Sequence, residues 1–301
     1  MNLEFFVNLL FSGLTRGSIY ALLALGYTMV YGIIQLINFA HGEIYMIGAF
    51  TTLIMITVLT FLDLPIAAII AIAALVAIVW SAGYGYTLDK IAYMPVRQAP
   101  RLSALISAIG MSLFLQNYVR LAQTSDFLPF PRFLPELGFL ENLPGLSSSQ
   151  FIIFVTTAVV MVLLTILIKF TRVGKSMRAA AQDRIMATLT GVNVNRTISI
   201  TFLIGSATAA IGGILISAHI GQINFYIGFL AGIKAFVAAV LGGIGSIPGA
   251  VLGSFVLGLT ESFGAGYISS DYEDVFAFVF LVLILIFRPS GILGKSAAQK
   301  V

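Results

Sequence analysis

Apolar runs of about 20 residues, separated by short polar segments, recur along this 301-residue sequence. Seven such runs lie near residues 5–32, 40–62, 65–87, 102–121, 150–170, 197–218 and 274–288. Two shorter runs, near 227–241 and 249–263, would reach roughly 23 Å as helices, less than a hydrocarbon core of about 30 Å. They are predicted to be half-helices or a re-entrant pair. The sequence therefore predicts an all-α polytopic transmembrane bundle, one domain over residues 1–301 with eight or nine hydrophobic segments and Gly-rich breaks.

The composition limits the functions that this chain can have. With 59% hydrophobic and 9% charged residues, it excludes a soluble fold. The net charge of +4 reflects a modest basic excess without a basic stripe between aromatics, so no nucleic-acid partner is predicted. The absence of cysteine excludes disulfides, thiol catalysis and thiolate metal sites. The start MNLEFF lacks a basic segment, which argues against a cleaved signal peptide.

Orientation follows from the loops that carry lysine and arginine, since such loops stay in the cytoplasm. The basic residues lie in three groups on one predicted side: Lys90, Arg97 and Arg101; 169–196; and Arg288, Lys295 and Lys300. The opposite loops carry mainly acids: Asp63, Asp126, Glu136, Glu141, Asp271, Glu273 and Asp274. This predicts an outer N-terminus and a cytoplasmic C-terminus. The first run, about 42 Å if helical, should be tilted or broken.

Small residues recur at four-residue spacing in the apolar runs, as at Gly205, Ala209 and Gly213, at Gly228 and Gly232, and at Gly249 and Gly253. Such spacing favours close helix packing in lipid. The runs HGEIYMIGA (41–49) and GSIPGAVLG (245–253) share a glycine-led break before a helix start. In transporters, helix breaks in both halves of the chain indicate a substrate path. The similarity between these two runs therefore supports the hypothesis that they lie along such a path.

Five polar residues are candidates for a translocation path: Asn38, His41, Glu43, Lys234 and Glu261. The first three are predicted near the cytoplasmic interface, where water could satisfy them without any function. Lys234 falls inside an apolar run, so it needs water or an ionic partner such as Glu261, or else extends towards an interface. For Arg16, extension of the side chain from a helix end towards an interface is favoured over a water-lined or ion-paired position. No metal site is predicted, because His219 lies on the other side from His41.

The polar, basic stretch at about 171–196 is predicted to face the cytoplasm. Its GKS triplet at 174–176 lacks the glycine five residues earlier that a phosphate loop requires, so no nucleotide site is expected. Residues 177–189 are rich in alanine and favour a short helix that Gly191 ends. Such a helix can dock into a groove of a partner, or can be an ordinary amphipathic loop helix.

The polar residues of the apolar runs distinguish three function classes. An ion-coupled transporter or channel normally has acids or histidines in the middle of the membrane, and this sequence has almost none. An intramembrane enzyme would require a motif such as H-E-x-x-H or G-x-S-x-G, which are both missing, so no catalytic residue is predicted. A permease driven by energy from outside the chain needs few acids in its spans.

Three stretches of the chain are similar to one known family. They are GLTRGSIYALLALGYTMVYGIIQLINFAHGEIYMIGA (13–49), RAAAQDRIMATLTGVNVNRTISITFLIGSA (178–207) and GIKAFVAAVLGGIGSIPGAVLGSFVLGL (232–259). Together they cover about a third of the chain, and it resembles the LivH-type permeases of bacterial branched-chain amino-acid ABC importers.

This resemblance implies a multi-pass permease in the bacterial cytoplasmic (inner) membrane that carries leucine, isoleucine and valine. Other amino acids, amides or urea remain alternatives. The implied partners are a second, similar permease, two cytoplasmic ATPase subunits that hydrolyse ATP, and a periplasmic or extracellular binding protein; no cofactor is implied. The cytoplasmic loop would hold the helix that couples to the ATPase. The contact residues implied are Arg178, Ala179, Ala180, Asp183, Ala187 and Gly191.

Overall fold

The computed structural model describes residues 3–140, 145–288 and 290–294. Glu141, Lys295 and Lys300, which the sequence placed in loops and tail, lie outside these residues. Eleven α-helices occur in the described part: α1 (Leu3–Ile34), α2 (His41–Leu59), α3 (Ile66–Leu88), α4 (Arg101–Ala122), α5 (Ser148–Phe170), α6 (Arg172–Gln182), α7 (Arg184–Leu189), α8 (Val194–Ile220), α9 (Ile227–Gly242), α10 (Ile247–Tyr267) and α11 (Glu273–Phe287). Two short strands, β1 (Leu128–Pro129) and β2 (Gln222–Ile223), pair antiparallel with Leu128 opposite Ile223.

The predicted all-α transmembrane bundle is confirmed. In the described ranges, seven helices are long and apolar enough to cross a membrane: α1 to α5, α8 and α10. α10 has 21 residues, so the prediction that this segment is too short was wrong. The 16 residues of α9 and the 15 of α11 fall below that length. The first run is one unbroken helix of 32 residues, about 48 Å long.

Polar side chains at the helix starts explain why several helices begin where they do. Ser147 forms a capping box with Gln150 at the start of α5. The side chains of Thr171, Asp183, Asn193 and Ser246 accept backbone N–H groups at the starts of α6, α7, α8 and α10, respectively. Each cap satisfies donors that have no partner within the helix.

The bundle has central and peripheral helices. In the most apolar stretch of α1, 89% of the residues are buried, and in that of α8, 72%, whereas in α5 only 22% are buried. The peripheral helices α3, α4, α5 and α11 present large apolar side chains outward, as helices facing lipid acyl chains do.

Small residues let the central helices approach closely, as their spacing predicted. A Cβ atom at Gly258 of α10 would overlap the carbonyl oxygen of Gly13 in α1. A Cβ at Gly213 of α8 would overlap that of Tyr45 in α2. Larger residues at these places would push the helices apart.

Contacts between loops show which helix ends lie together. At one end, β1 pairs with β2, Ser149 Oγ lies 2.8 Å from His219 Nδ1, and Ser262 Oγ donates to the Leu9 carbonyl at 2.6 Å. We call this the acidic end, because Asp63, Asp126, Glu136, Asp271, Glu273 and Asp274 lie there.

At the opposite end, which we call the basic end, α1 finishes and α8 begins. Arg97 donates to Asn195 Oδ1 at 2.6 Å, and Arg184 donates to the Ile33 carbonyl. The turn after α9 lies there too, since Ile292 N donates to the Leu241 carbonyl at 2.9 Å. The three predicted basic groups thus share one end as far as the structure describes them: Lys90, Arg97, the start of α4, the α6–α7 segment and Arg288.

Candidate functional site

Lys234 of α9 lies within a cluster of acids near the acidic end. Its Nζ is 3.4 Å from Glu261 Oε1 in α10, 3.2 Å from Glu273 Oε1 and 2.7 Å from Asp274 Oδ1. The Lys234 side chain is 14% exposed and Glu261 is fully buried. Lys234 is therefore ion-paired rather than extended to an interface. The sequence suggested Glu261 as a partner, but it assigned Glu273 and Asp274 only to an outer loop, because their position beside α9 depends on how α11 packs.

Arg16 of α1 belongs to the same cluster. Its guanidinium contacts the carboxylate of Glu273 and lies 4.0 Å from Glu261 Oε2. The favoured expectation, that Arg16 extends from a helix end towards an interface, was wrong, because Arg16 lies within α1 and is ion-paired. The reason is tertiary: the first turn of α11 places Glu273 between α1 and α9. Tyr20, one turn after Arg16, donates its hydroxyl to Glu261 Oε2 at 2.7 Å, so α1, α9, α10 and α11 are joined by one network of charged hydrogen bonds.

Three carboxylates meet in this cluster with ligand atoms within 4.8 Å of one another, those of Glu261, Glu273 and Asp274. Such a group can hold a metal ion, but here the ammonium of Lys234 lies within 3.4 Å of all three. The lysine thus supplies the positive charge that a metal would bring.

A cavity of about 570 Å³ opens beside this cluster at the acidic end. Arg16, Lys234 and Glu273 line it. Apolar side chains form much of the rest of its wall, among them Ile19, Ile216, Ile220, Ile223, Ile227 and Leu230. The cavity is therefore amphipathic, with charges of both signs among its lining residues and a large apolar area.

Asn38, His41 and Glu43 are buried inside the bundle, and for His41 and Glu43 the predicted place near the cytoplasmic interface was wrong. Each is 1% exposed or less. His41 packs against Gly26 and Gly205, well inside α1 and α8. The reason is the chain path after α1: residues 35–40 turn back into the bundle, and α2 starts at depth.

Two hydrogen bonds connect this inner polar cluster to the helical turn Asp89–Tyr93, which follows α3, and to α4. Tyr93 donates its hydroxyl to Asn38 Oδ1 at 2.8 Å, and Ser112 donates to Glu43 Oε1 at 2.9 Å. In the described ranges, Asn38 Nδ2, His41 Nε2 and Glu43 Oε2 are buried without a hydrogen-bond partner. Buried polar atoms are normally paired, and polar groups at membrane depth are found where they line a cavity or mark a pathway.

The polar segment at the basic end forms two short helices, because Asp183 interrupts the expected single one. Its carboxylate accepts the backbone N–H groups of Ile185 and Met186 at 2.8 and 3.0 Å and so starts α7. Gly191, which the sequence predicted as the stop, follows α7 with a φ of +84°, a backbone angle that glycine adopts without strain.

Two arginines fasten this segment to the spans. Arg178 donates to the Ile168 and Lys169 carbonyls at the end of α5. Arg184 donates to the carbonyl of Ile33 at the end of α1, at 3.0 and 2.7 Å. Burial, together with the nearby guanidinium of Arg97, lowers the pKa of Arg184.

The six residues implied for the partner contact divide into two groups. Ala180 and Ala187 are buried and Ala179 is half-buried, so these alanines face the protein. Arg178 and Gly191 are exposed and Asp183 is half-buried. Sequence reasoning missed the exposed apolar side chains of α7: Ile185 is 73% exposed, Met186 60% and Leu189 75%. Only the placement of Ala187 towards the bundle reveals that these three side chains point away from it.

Comparisons with known proteins agree over nearly the whole chain. The family model described as "Branched-chain amino acid transport system / permease component" matches residues 9–285. The chain is 47% identical over 302 residues to the high-affinity branched-chain amino acid transport system permease protein LivH of Escherichia coli (strain K12), covering 99% of this chain and 98% of that protein.

Two further relatives show the same extent of similarity. LivH of Salmonella typhimurium is 46% identical, with 99% of this chain and 98% of that protein covered. The permease protein BraD of Pseudomonas aeruginosa is 50% identical over 297 residues, covering 97% of each. With this coverage, and with a bundle of apolar helices, the chain is a multi-pass integral membrane protein that belongs to the family of branched-chain amino acid transport system permease components.

Proposed function

We propose that this chain is the permease subunit of an ATP-driven importer in the bacterial inner membrane, and that it translocates leucine, isoleucine and valine delivered by an external binding protein. The observation that carries the proposal is the near full-length identity to permeases named for branched-chain amino acids. Its partners are a second, similar permease and two cytoplasmic ATPase subunits, and its C-terminus is cytoplasmic.

The charge distribution supports the orientation. The basic groups lie at one end of the bundle and most of the acids at the other. Because lysine and arginine are retained on the cytoplasmic side, the basic end faces the cytoplasm and the acidic end faces the binding protein.

The exposed apolar face of α7 supports docking of the ATPase at the basic end. Ile185, Met186 and Leu189 project from the α6–α7 segment, which lies outside the spans. An amphipathic helix with such a face fits a hydrophobic groove on a partner. We therefore assign the contact to these three residues with Arg178, Asp183 and Gly191, while the buried alanines support the segment from within.

The two arginine contacts provide a physical route for coupling. A movement of α6 and α7 acts on the end of α5 through Arg178 and on the end of α1 through Arg184. α1 is continuous for 32 residues and carries Arg16 near the acidic end. A displacement at the basic end can thus reach the acidic end through one rigid helix. Asn38, His41 and Glu43 lie along the proposed translocation path between the two ends.

Reconstitution in vesicles with both ATPases, the second permease and the binding protein tests this proposal. We expect ATP-dependent uptake of labelled leucine, isoleucine and valine, and no accumulation by the chain alone. Uptake of urea or a sugar without leucine would contradict the substrate assignment. Accumulation by the chain alone, driven by an ion gradient, would contradict the ATP-driven mechanism and favour an ion-coupled transporter.

A further inference from the structure

The cavity at the acidic end has the size and lining of a small-molecule site. Its volume of about 570 Å³ lies within the range of about 300 to 1,000 Å³ that is usual for ligand pockets. Ligand sites combine mostly apolar walls with a few convergent polar groups. Here the polar groups are the charged side chains of Arg16, Lys234 and Glu273, and much of the wall is isoleucine and leucine.

The charges in the wall match a ligand that carries both signs. Lys234 and Arg16 can bind a carboxylate, and Glu273, which lies between them, can bind an ammonium group. A ligand with only a carboxylate would pair with Lys234 and Arg16 and leave Glu273 less well compensated. A ligand with only an ammonium group would pair with Glu273 and leave the two cations less well compensated. A zwitterion on a single carbon atom can pair with both.

Glu261 holds the basic side of the site in place. It is fully buried, accepts a hydrogen bond from Tyr20 at 2.7 Å and lies 3.4 Å from Lys234 Nζ. The Lys234 ammonium is thereby fixed at the cavity wall by a residue that does not line the cavity. Such support from behind is what a binding group needs to keep its position when a ligand enters.

We infer that this cavity binds a free α-amino acid with an apolar side chain, as a zwitterion, at the acidic end of the permease. The ligand's carboxylate lies against Lys234 and Arg16, its ammonium group against Glu273, and its side chain against the isoleucines. This site rests on the proposed function and adds a step to it, a substrate-binding position in the permease itself. Because the ligand must replace ion pairs that already exist, binding is weak, which suits a site that passes substrate on.

Cysteine protection tests the site, since the natural chain contains no cysteine. In the purified transporter without binding protein, Leu230→Cys places a thiol at the cavity wall, where Leu230 is 45% exposed. Glu136→Cys, exposed at the same end but away from the cavity wall, is the control. At a leucine concentration about four times the dissociation constant, single-site occupancy should slow maleimide modification at position 230 about fivefold. Modification at position 136 should not change.

Analogues of leucine with one charge distinguish the proposed recognition from simple filling of an apolar cavity. We expect 4-methylpentanoate and 3-methylbutylamine, each lacking one of the two charged groups, to protect position 230 far less than leucine does. Equal protection by all three, or protection by none at 100 mM, would overturn the inference.

A filled cavity provides a second variant. Ile220→Trp, added to Leu230→Cys, should abolish protection by leucine, while a normal gel-filtration profile shows that the protein is folded. Persistent protection would place the ligand elsewhere and overturn the site. Leucine uptake by the complete transporter is measured in parallel. Leucine uptake without leucine protection of position 230 refutes this site alone. Uptake of a different solute in place of leucine refutes the proposed function.

Discussion

Lys234 illustrates how a charged residue is tolerated within an apolar segment. A lysine at the centre of a membrane helix costs about 2.5 to 3.5 kcal/mol on insertion scales. Here the ammonium is surrounded by three carboxylates from α10 and α11. The pairing offsets the cost only while every partner is present, because a buried charge that loses its partner destabilises the protein.

Removal of one or both members of the Lys234–Glu261 pair should therefore have unequal effects. We expect Lys234→Met to destabilise the protein by about 3 kcal/mol, because it leaves the carboxylate of Glu261 buried without its nearest cation. The double variant Lys234→Met with Glu261→Gln should recover most of this loss. Thermal unfolding in detergent measures both, and a double variant no more stable than the single one would contradict the pairing.

Glycine positions distinguish contact surfaces from lipid-facing surfaces within the helices. Gly42 of α2 packs against the backbone of Gly228 and Gly232 in α9, whereas at Gly83 of α3 no atom beyond the adjacent backbone of its own helix lies within 4 Å of the place where a Cβ would lie. The same substitution should thus have opposite effects at the two sites.

We expect Gly42→Ala to destabilise the bundle by about 3 kcal/mol, because the added methyl group overlaps the Gly228 carbonyl and forces α2 and α9 apart. Gly83→Ala, the matched control, should stabilise α3 by about 0.5 kcal/mol through helix propensity. Thermal unfolding midpoints compare the two. Similar midpoints for both variants would show that α2 and α9 do not pack as described.

The helix α7 is where the structure adds most to the sequence prediction. We expect Leu189→Ser to lower ATP-driven uptake at least about tenfold, because loss of a central apolar contact in the proposed ATPase interface costs more than about 1.4 kcal/mol of docking energy. Leu121→Ser is the control, since Leu121 is 86% exposed at the opposite end. Membrane insertion of both variants should be normal. Unimpaired uptake by Leu189→Ser would remove α7 from the ATPase contact.

The whole molecule has two chemically different ends, and this polarity predicts its orientation. In intact cells, a membrane-impermeant maleimide should label Glu136→Cys at the acidic end. Thr188→Cys in α7 should react only after the membrane is made permeable, because retained basic loops face the cytoplasm. The natural cysteine-free chain is the background for both. Labelling of position 188 in intact cells would reverse the proposed orientation.

The sequence by itself determined that the chain is a bundle of membrane helices with one basic end and one acidic end. These properties are local: the length of an apolar run decides whether a helix can span the membrane, and the loop charges decide its side. The tertiary structure alone decided that Lys234 meets Glu273, 39 residues away, and that Tyr20 meets Glu261, 241 residues away. It also decided that His41 lies within the bundle and that α7 turns its apolar face outward. These outcomes depend on how helices distant in sequence pack together, and a spacing pattern within one helix does not say which helix or side chain becomes its neighbour.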